Sequence, residues 1–251
     1  MGKVKRRREE EIRRASRVIF ESEAGAVSAP QINGKLRSFA LHVPDAVNEC
    51  SGIVVFGKRI RSLVFSTDVA TIRNVDADAV WSVYPYTPQQ IIAEALIHAA
   101  DIPVFVGVGG GLTQGKRVVH LASFAEMQGA AGVIVNAPTD NSVVGRLVDT
   151  IDIPVIVTTV SAKGVGDRLR SGASVIHVAA GNATSEVVAQ LRKEFPTLPI
   201  IATGGPTDES VRSTVDAGAN AIVWTPPTPG EVFREIMAAY REDKPHPRQR
   251  R

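Results

Sequence analysis

The segment DIPVFV (101–106) returns as DIPVIV (152–157) and as TLPIIA (197–202), each time with a proline at the start of a short apolar run. Between and after these segments, a small-residue pair leads into another apolar run in GAAGVIV (129–135), SGASVIHV (171–178) and AGANAIVW (217–224). A fixed period of this kind indicates a repeat architecture. Here the period covers two strand–helix units, which is typical of a symmetric parallel barrel.

Apolar segments at the same spacing extend over most of the chain. We predict eight strands, near residues 60–66, 79–84, 103–108, 132–136, 154–159, 174–179, 199–203 and 221–225. Helical patterns follow strands two to eight, at about 88–99, 114–128, 140–150, 164–171, 184–194, 207–217 and 229–240. The first connection (68–76) is short, and we expect only a turn of helix there.

Near-continuous apolar strands that are joined by helices need a parallel sheet covered on its outer face. Eight such units close a ring, whereas a doubly wound open sheet does not readily explain eight units with this repeat. The predicted fold class is therefore α/β, a single (β/α)8 TIM barrel with an N-terminal helical and hairpin extension.

The chain divides into three predicted parts, namely an extension over residues 1–52, the barrel over 53–240 and a basic tail over 241–251. Residues 1–14 carry a charge balance of +4 and the tail carries +3, which leaves −4 for residues 15–240. Basic ends can bind nucleic acid, but no RNA-binding aromatic motif or zinc-finger spacing accompanies them. We therefore expect solvated ends and do not expect a nucleic-acid partner.

Local patterns suggest the structure of the extension. Apolar residues at helical spacing favour an amphipathic helix over residues 8–22. The pair Asn33-Gly34 is typical of a hairpin turn, and a second turn is predicted at Gly57-Lys58. We expect the segment that leads into the barrel either to close its bottom or to contact another subunit. The second alternative would make the protein a homo-oligomer.

Composition limits the class of protein. The 251 residues fit one barrel domain, and 44% of them are hydrophobic, enough for a large core. No apolar run approaches the 18 residues of a membrane span, and the charged N-terminus lacks the apolar stretch of a signal peptide. The single cysteine, Cys50, allows no internal disulfide and suits a reducing compartment. We therefore predict a cytoplasmic protein without a membrane partner.

Three polar residues near strand ends are the catalytic candidates, because the active site of such a barrel lies at the carboxyl ends of its strands. Asp68 is the only carboxylate directly after a predicted strand. It can act as a general base or, equally, cap the short helix that follows it. Asn136 follows strand four and His177 lies on strand six, and we expect both to orient polar groups of a substrate. A lone strand histidine is, however, more often a packed core residue.

Two glycine-rich turns are candidates for binding an anion, because glycine lets backbone N–H groups approach a ligand and the next helix adds its positive N-terminal end. The first comprises Gly109, Gly110 and Gly111 with Lys116, and the second comprises Gly204 and Gly205 after strand seven. The first also spells GxxxxGK, but Arg117 stands where a nucleotide-binding loop needs Ser or Thr. For the first turn, a tight turn with a surface lysine remains an equal alternative.

Several chemistries lack their residues. A metal-dependent barrel hydrolase brings several His and Asp ligands to strand ends, and a Schiff-base aldolase needs a lysine inside the mouth. Neither pattern is present, and no GxSxG motif provides a nucleophilic serine. We predict no metal site.

The ATGGPTDE segment (202–209) resembles the phosphate-binding barrels, such as thiazole synthase, the histidine-biosynthesis isomerases, nitronate monooxygenase and the inosine-monophosphate dehydrogenase class. In those families the segment after strand eight usually supplies a glycine and a small hydroxyl residue. The resemblance therefore implies binding roles for Gly204, Gly205 and Thr225, whereas the last glycine of the pattern has no counterpart here. This chain has WTPPTPGE (224–231) there, and its two adjacent prolines donate no N–H. The departure weakens both a phosphate and an FMN prediction, and we predict no cofactor, with FMN as the alternative.

The segments RIRSLVFSTDVATIRN, GVGGGLTQGKRVV, IVNAPT and IIATGGPTDESVR are similar to an uncharacterised bacterial family of β/α barrels whose members are often labelled hydrolases. The resemblance covers about residues 53–235 and implies the barrel. The sequence contains no nucleophile or metal set that supports hydrolysis. We expect an enzyme of unassigned reaction acting on a small anionic metabolite, with a non-catalytic ligand sensor or assembly partner as the alternative.

Overall fold

The computed structural model describes residues 18–21, 31–34 and 39–247. The chain forms two compact units, Met1–Ala40 and Leu41–Arg251. The second unit contains every element of the barrel together with residues 41–52, which come before the barrel in the chain.

The first unit contains a two-stranded antiparallel sheet of Val18–Glu21 and Gln31–Gly34. The helix predicted over 8–22 is therefore wrong at residues 18–21, and its remainder lies outside the described residues. Two β-branched residues and an aromatic residue in this stretch favour a strand. The pair Asn33-Gly34 lies within the second strand, with Gly34 opposite Val18, and does not form the predicted turn.

Eight parallel strands close into a barrel in the second unit. They are β1 (Ser62–Phe65), β2 (Ala79–Ser82), β3 (Val104–Gly109), β4 (Gly132–Val135), β5 (Val155–Thr159), β6 (Val175–Val178), β7 (Ile200–Thr203) and β8 (Ala221–Trp224). Each strand pairs with the next along the chain, and β8 returns to β1 with Ile222 opposite Ser62. The predicted (β/α)8 fold is confirmed.

A helix follows every strand. The helices are α1 (Val69–Ile72), α2 (Gln90–Ala99), α3 (Lys116–Met127), α4 (Asn141–Val148), α5 (Val165–Arg170), α6 (Thr184–Glu194), α7 (Asp208–Asp216) and α8 (Pro229–Arg241). The first helix is a single turn, as its short connection predicted. None of the helices in the described part of the chain is long and apolar enough to cross a membrane.

Side chains alternate along each strand and divide the apolar core into two layers. The outward side chains, such as Val64 and Val80, pack against the helices. The inward side chains fill the barrel, and Leu63, Trp81 and Phe105 are among the largest of this inner cluster. Because the interior is filled, a ligand can reach the barrel only from an end of its strands.

The amino-terminal end of the barrel is closed by a hairpin of Ile53–Val55 and Lys58–Ile60. Ile53, Val55 and Ile60 pack against the inner cluster of the barrel. The hairpin turns at Phe56 and Gly57, both with positive φ, one residue before the predicted turn. The open end of the barrel is therefore the carboxyl end of the strands.

Polar side chains at the closed end hold backbone groups of the loops that precede the strands. The Arg192 guanidinium donates to the carbonyl oxygens of Pro196, Leu198 and Gly218 and to Oδ1 of Asn220. At this end of a barrel, such residues stabilise the fold and take no part in ligand chemistry.

Candidate functional site

A buried histidine lies near the carboxyl end of the barrel, between two threonines. His177 on β6 lies between β5 and β7, so its ring reaches one hydroxyl on each neighbouring strand. Its Nδ1 is 3.1 Å from Oγ1 of Thr158, and its Nε2 is 3.1 Å from Oγ1 of Thr203. Both hydroxyls belong to half-buried residues, whereas His177 is only 5% exposed. The three side chains form a continuous hydrogen-bonded chain across three strands.

The environment of His177 keeps its ring neutral. Burial lowers the pKa of the imidazole from 6.5 to about 3. The ring of Trp81 from β2 also packs against it, with 4.5 Å between the ring centroids and an angle of 53° between the planes. A neutral imidazole has one N–H donor and one bare nitrogen acceptor. One threonine therefore accepts a hydrogen bond from the ring, and the other donates one to it.

A cleft of about 390 Å³ opens between the loops that follow β4 and β5. Residues 137–141, from the end of β4 to the first residue of α4, form one wall. The other wall comprises residues 158–161, Lys163, Gly164, Asp167 and Arg168. Lys163 is exposed in the cleft and brings a positive charge to it. Asp140 precedes α4, and its side chain makes no capping hydrogen bond to that helix. The cleft thus offers a lysine, several hydroxyls and backbone groups to a small polar ligand.

Arg168 of α5 holds one wall of the cleft in place. Its guanidinium donates to the carbonyl oxygens of Thr139 and Ala137, and to Oδ1 of Asn141 at 2.7 Å. Two of these acceptors lie in the loop after β4 and the third belongs to the first residue of α4, so the side chain ties that segment to the helix after β5. Sequence reasoning missed this residue. Its position early in the helix after strand five was the available signal, because that end of the helix lies at the open end of the barrel.

Thr158 connects the cleft to the buried histidine. It is the cleft-lining residue whose hydroxyl also contacts His177. Sequence reasoning gave no role to Thr158 or to Thr203. The alternation of side chains along parallel strands in register is the signal that could have brought the three together.

The loop of Gly109, Gly110 and Gly111 is ordered by its own hydrogen bonds. The N–H of Gly110 donates to the carbonyl oxygen of Thr113 at 3.0 Å, so it is not free for an anion. Gly110 has φ of 111°, and a Cβ there would lie 2.4 Å from Cβ of Asn136. This close approach explains the glycine. Asn136 is exposed at the end of β4, and its N–H donates to the carbonyl oxygen of Gly109.

The predicted anion-binding lysine and the glycines after β7 have separate positions. Lys116 is the first residue of α3 and is exposed. The N–H of Gly204 donates to the carbonyl oxygen of Val223, and a Cβ on Gly204 would lie under 3 Å from Ile222 and Val211. Gly204 therefore serves close packing of α7. Gly205 has φ of 83° and faces Ser210.

The N-termini of the last two helices are closed by capping boxes. Thr207 and Ser210 cap α7, and Thr228 and Glu231 cap α8 in the same reciprocal way. Hydrogen bonds from Thr228 lower the pKa of the Glu231 carboxyl. Side chains thus already occupy donors that an anion would use. Thr225 is exposed just before these caps, and its role in binding stays a prediction.

Asp68 caps the single-turn helix α1. Its Oδ1 accepts a hydrogen bond from the N–H of Thr71 at 2.6 Å, and its own N–H donates to Oγ of Ser66. Of the two roles predicted for this carboxylate, the structure shows the cap. Its use as a general base stays a prediction.

The described part of the chain has neither a metal-binding cluster nor a lysine in the barrel wall. Among residues 39–247 and the two short strands before them, no three His, Cys, Asp or Glu side chains cluster in a way that could hold a metal ion. None of the eight barrel strands contains a lysine. The mouth and the cleft offer mainly hydroxyls, one amide and one neutral imidazole, together with the charged side chains of Asp140, Lys163, Asp167 and Arg168 that line the cleft.

Comparison with known proteins identifies the fold and no family. No family model and no curated protein matches the chain. A candidate phosphonomutase from Burkholderia cenocepacia J2315 superposes with a TM-score of 0.56 and 15% identity, over 72% of this chain and 93% of that one. Phosphonopyruvate hydrolase, solved with oxalate and Mg²⁺, superposes with a TM-score of 0.55 and 13% identity, over 74% of this chain and 83% of that one. Dihydrodipicolinate synthase from Agrobacterium tumefaciens superposes with a TM-score of 0.53 and 14% identity, over 79% of this chain and 78% of that one.

These neighbours are TIM-barrel enzymes, which agrees with the predicted resemblance to a barrel family at the level of fold. At 13–15% identity the likeness shows the fold alone. It carries no residue role, substrate or cofactor over to this chain. The chemistry has to be argued from the site itself.

Proposed function

We propose that this barrel is an enzyme that binds a small anionic metabolite in the cleft after β4 and β5 and relocates a proton on it through Thr158, His177 and Thr203. One observation carries the proposal: Thr158 both lines the cleft and hydrogen-bonds the buried imidazole. The position also fits the general rule that such barrels act at the carboxyl ends of their strands.

Lys163 is the proposed counter-charge for the anion. It is exposed within the cleft, and Arg168 is already committed to three acceptors of the cleft wall. Asp140 and Asp167 also line the cleft, so an anion has to bind close to the lysine and away from these carboxylates. This charge arrangement orients the ligand as well as attracting it.

The hydrogen-bonded chain can move a proton without ionising the histidine. When one hydroxyl takes a proton from the ligand, it passes its own proton to the bare ring nitrogen. The opposite ring nitrogen gives its proton to the Thr203 hydroxyl. Because Thr203 does not line the cleft, the ligand has to extend from the cleft toward β7 so that this hydroxyl returns a proton to another of its atoms. The ring ends as the other tautomer, and no net charge is created. A pKa near 3 disfavours imidazolium but does not prevent this exchange.

Such a relay favours an isomerisation, in which a proton leaves one atom of the metabolite and returns to another. The hydrolase label implied by the family resemblance has less support, because the second ring nitrogen of His177 faces the Thr203 hydroxyl and not a carboxylate that would stabilise the imidazolium formed when a nucleophile is deprotonated. The proposal requires no cofactor, and the cytosolic location predicted from the single cysteine is retained with it.

The test is a screen of small carboxylates and phosphate esters by thermal shift, followed by NMR of each ligand in D2O to detect solvent-exchanged or isomerised protons. His177→Gln should remove turnover while retaining binding, since Lys163 is unchanged. His120→Gln is the matched control, because His120 is exposed on α3. Binding without any proton exchange in the wild-type protein would contradict the catalytic proposal and favour the non-catalytic ligand sensor.

A further inference from the structure

Large apolar side chains are exposed on three neighbouring connections at the mouth of the barrel. Phe65 ends β1, Tyr86 lies between β2 and α2, and Leu112 lies between β3 and α3. Because β1, β2 and β3 are adjacent in the barrel, these connections are neighbours on one side of the mouth. We refer to Phe65, Tyr86 and Leu112 as the apolar arc.

Phe65 belongs to the wall of the mouth itself. It follows Leu63 by two residues, so its side chain is on the inward face of β1, and it lies opposite Trp81 in the register of β1 and β2. Trp81 in turn packs on His177. Phe65 of the apolar arc therefore adjoins the aromatic packing around the buried histidine.

Leu112 is presented by a loop that is held in shape. The loop closes by a hydrogen bond from Gly110 N–H to the carbonyl oxygen of Thr113, and by one from Nε2 of Gln114 to the carbonyl oxygen of Gly111. Thr113 is buried, whereas Leu112 is fully exposed. These contacts turn the polar residue inward and keep the leucine at the tip. Ordered apolar residues at the rim of a cleft are typical of a binding surface.

The opposite side of the mouth is polar. Asn136, Thr158, Lys163 and Thr203 come from the ends of β4, β5 and β7 or the loops after them. One side of the mouth thus offers a positive charge and hydrogen bonds, and the other offers apolar surface. Val160 is also exposed and lines the cleft, so apolar surface reaches the anion side as well.

We infer that the ligand is amphipathic, a small acid whose anionic group lies near Lys163 and whose hydrocarbon part lies on the apolar arc. The inference rests on the proposed function for the anion cleft and adds the substrate class. Leu112 is then a specificity-determining residue, because its contact selects for the hydrocarbon part and not for the anionic group.

A series of straight-chain carboxylates from acetate to octanoate tests this at pH 7, with dissociation constants taken from amide NMR titrations. Each methylene that reaches the arc should tighten binding by about two- to fourfold. Leu112→Ser should weaken octanoate at least about fivefold and leave acetate within about twofold. Met127→Ser is the matched control, because Met127 is exposed at the far end of α3, and it should leave the whole series unchanged.

Lys163→Gln separates this inference from the proposed function. It should weaken acetate and octanoate by similar factors. The amphipathic ligand is overturned if acetate and octanoate bind with equal affinity, or if Leu112→Ser and Met127→Ser give the same dissociation constants across the series. In either case, a loss of acetate binding in Lys163→Gln still supports the anion cleft. If Lys163→Gln leaves the dissociation constant of acetate unchanged, the proposed anion cleft is itself wrong. Sedimentation completes the test: a wild-type oligomer that Leu112→Ser dissociates makes the arc a subunit interface and overturns the inference.

Discussion

Oγ1 of Thr158 lies 3.1 Å from Nδ1 of His177, while the same residue lines the cleft between the loops after β4 and β5. A buried imidazole is thereby in hydrogen-bonded contact with a residue that a ligand can reach. This relationship has consequences for stability, for pH dependence and for binding, and each can be measured separately.

The first prediction concerns the stability of the protein in acid. The pKa of His177 is lowered from 6.5 to about 3 in the folded protein, so below pH 6.5 the unfolded chain binds a proton that the folded protein does not. The free energy of unfolding should therefore fall as the pH drops from about 6.5 toward 3, by up to roughly 1.4 kcal/mol per pH unit from this residue. Above pH 6.5 the histidine is neutral in both states, so this loss of stability is absent there.

Chemical denaturation at several pH values between 4 and 7 measures the effect. His177→Gln should flatten the pH dependence relative to the wild-type protein, and His120→Gln should retain the wild-type slope. Parallel curves for the wild-type protein and His177→Gln would show that the imidazole is not buried as described.

The second prediction concerns the wall of the cleft. Arg168→Lys replaces a planar fork of donors by a single ammonium, which cannot reach all three acceptors within residues 137–141. We expect a loss of about 1–3 kcal/mol in the free energy of unfolding and faster amide exchange over residues 137–141. Arg146→Lys, on an exposed position of α4, is the control. Unchanged exchange in Arg168→Lys would refute the clamp.

The third prediction compares two glycines of one loop. Gly111 has φ of 63° and open space around a Cβ, so Gly111→Ala should cost only about 1 kcal/mol for its backbone conformation. Gly110→Ala carries backbone strain as well and adds a contact of 2.4 Å with Asn136, so it should cost at least about twice as much. Urea unfolding of both variants gives the comparison, and equal losses would contradict the tight packing of the loop on Asn136.

The fourth prediction separates stability from binding. Arg192 holds four acceptors at the closed end of the barrel. Arg192→Met should reduce the free energy of unfolding by about 2–4 kcal/mol and leave the affinity of carboxylates unchanged in protein that is still folded. Lys193→Met, on the adjacent exposed position, should change neither quantity. A change in affinity would mean that the two ends of the barrel are coupled.

Much of the barrel could be predicted from the sequence because its strands are buried on both faces and read as apolar runs with a fixed period. The same logic found the short α1 from the small gap after strand one. The first unit was harder, because Val18 and Ile19 fit a helical spacing equally well, and their pairing with Gln31–Gly34 is not visible in a local pattern.

The site was predicted less completely, because local motifs say where a residue lies on its strand but not which donors are already used. The glycines at the ends of β3 and β7 follow an anion-binding pattern. However, the N–H of Gly110 donates to the carbonyl oxygen of Thr113, and the N–H of Gly204 donates to that of Val223. Arg168 lies about thirty residues from the loop it holds, and only the ring closure brings the two together.

The most direct measurement is an NMR titration of hexanoate that follows backbone amides and the ring nitrogens of His177. Binding at the proposed site should shift amides of residues 137–141 and 158–164 together with the His177 ring, and Lys163→Gln should remove these shifts. Saturable binding that shifts only the hairpin at the closed end, or that leaves the His177 ring unchanged, would contradict the account.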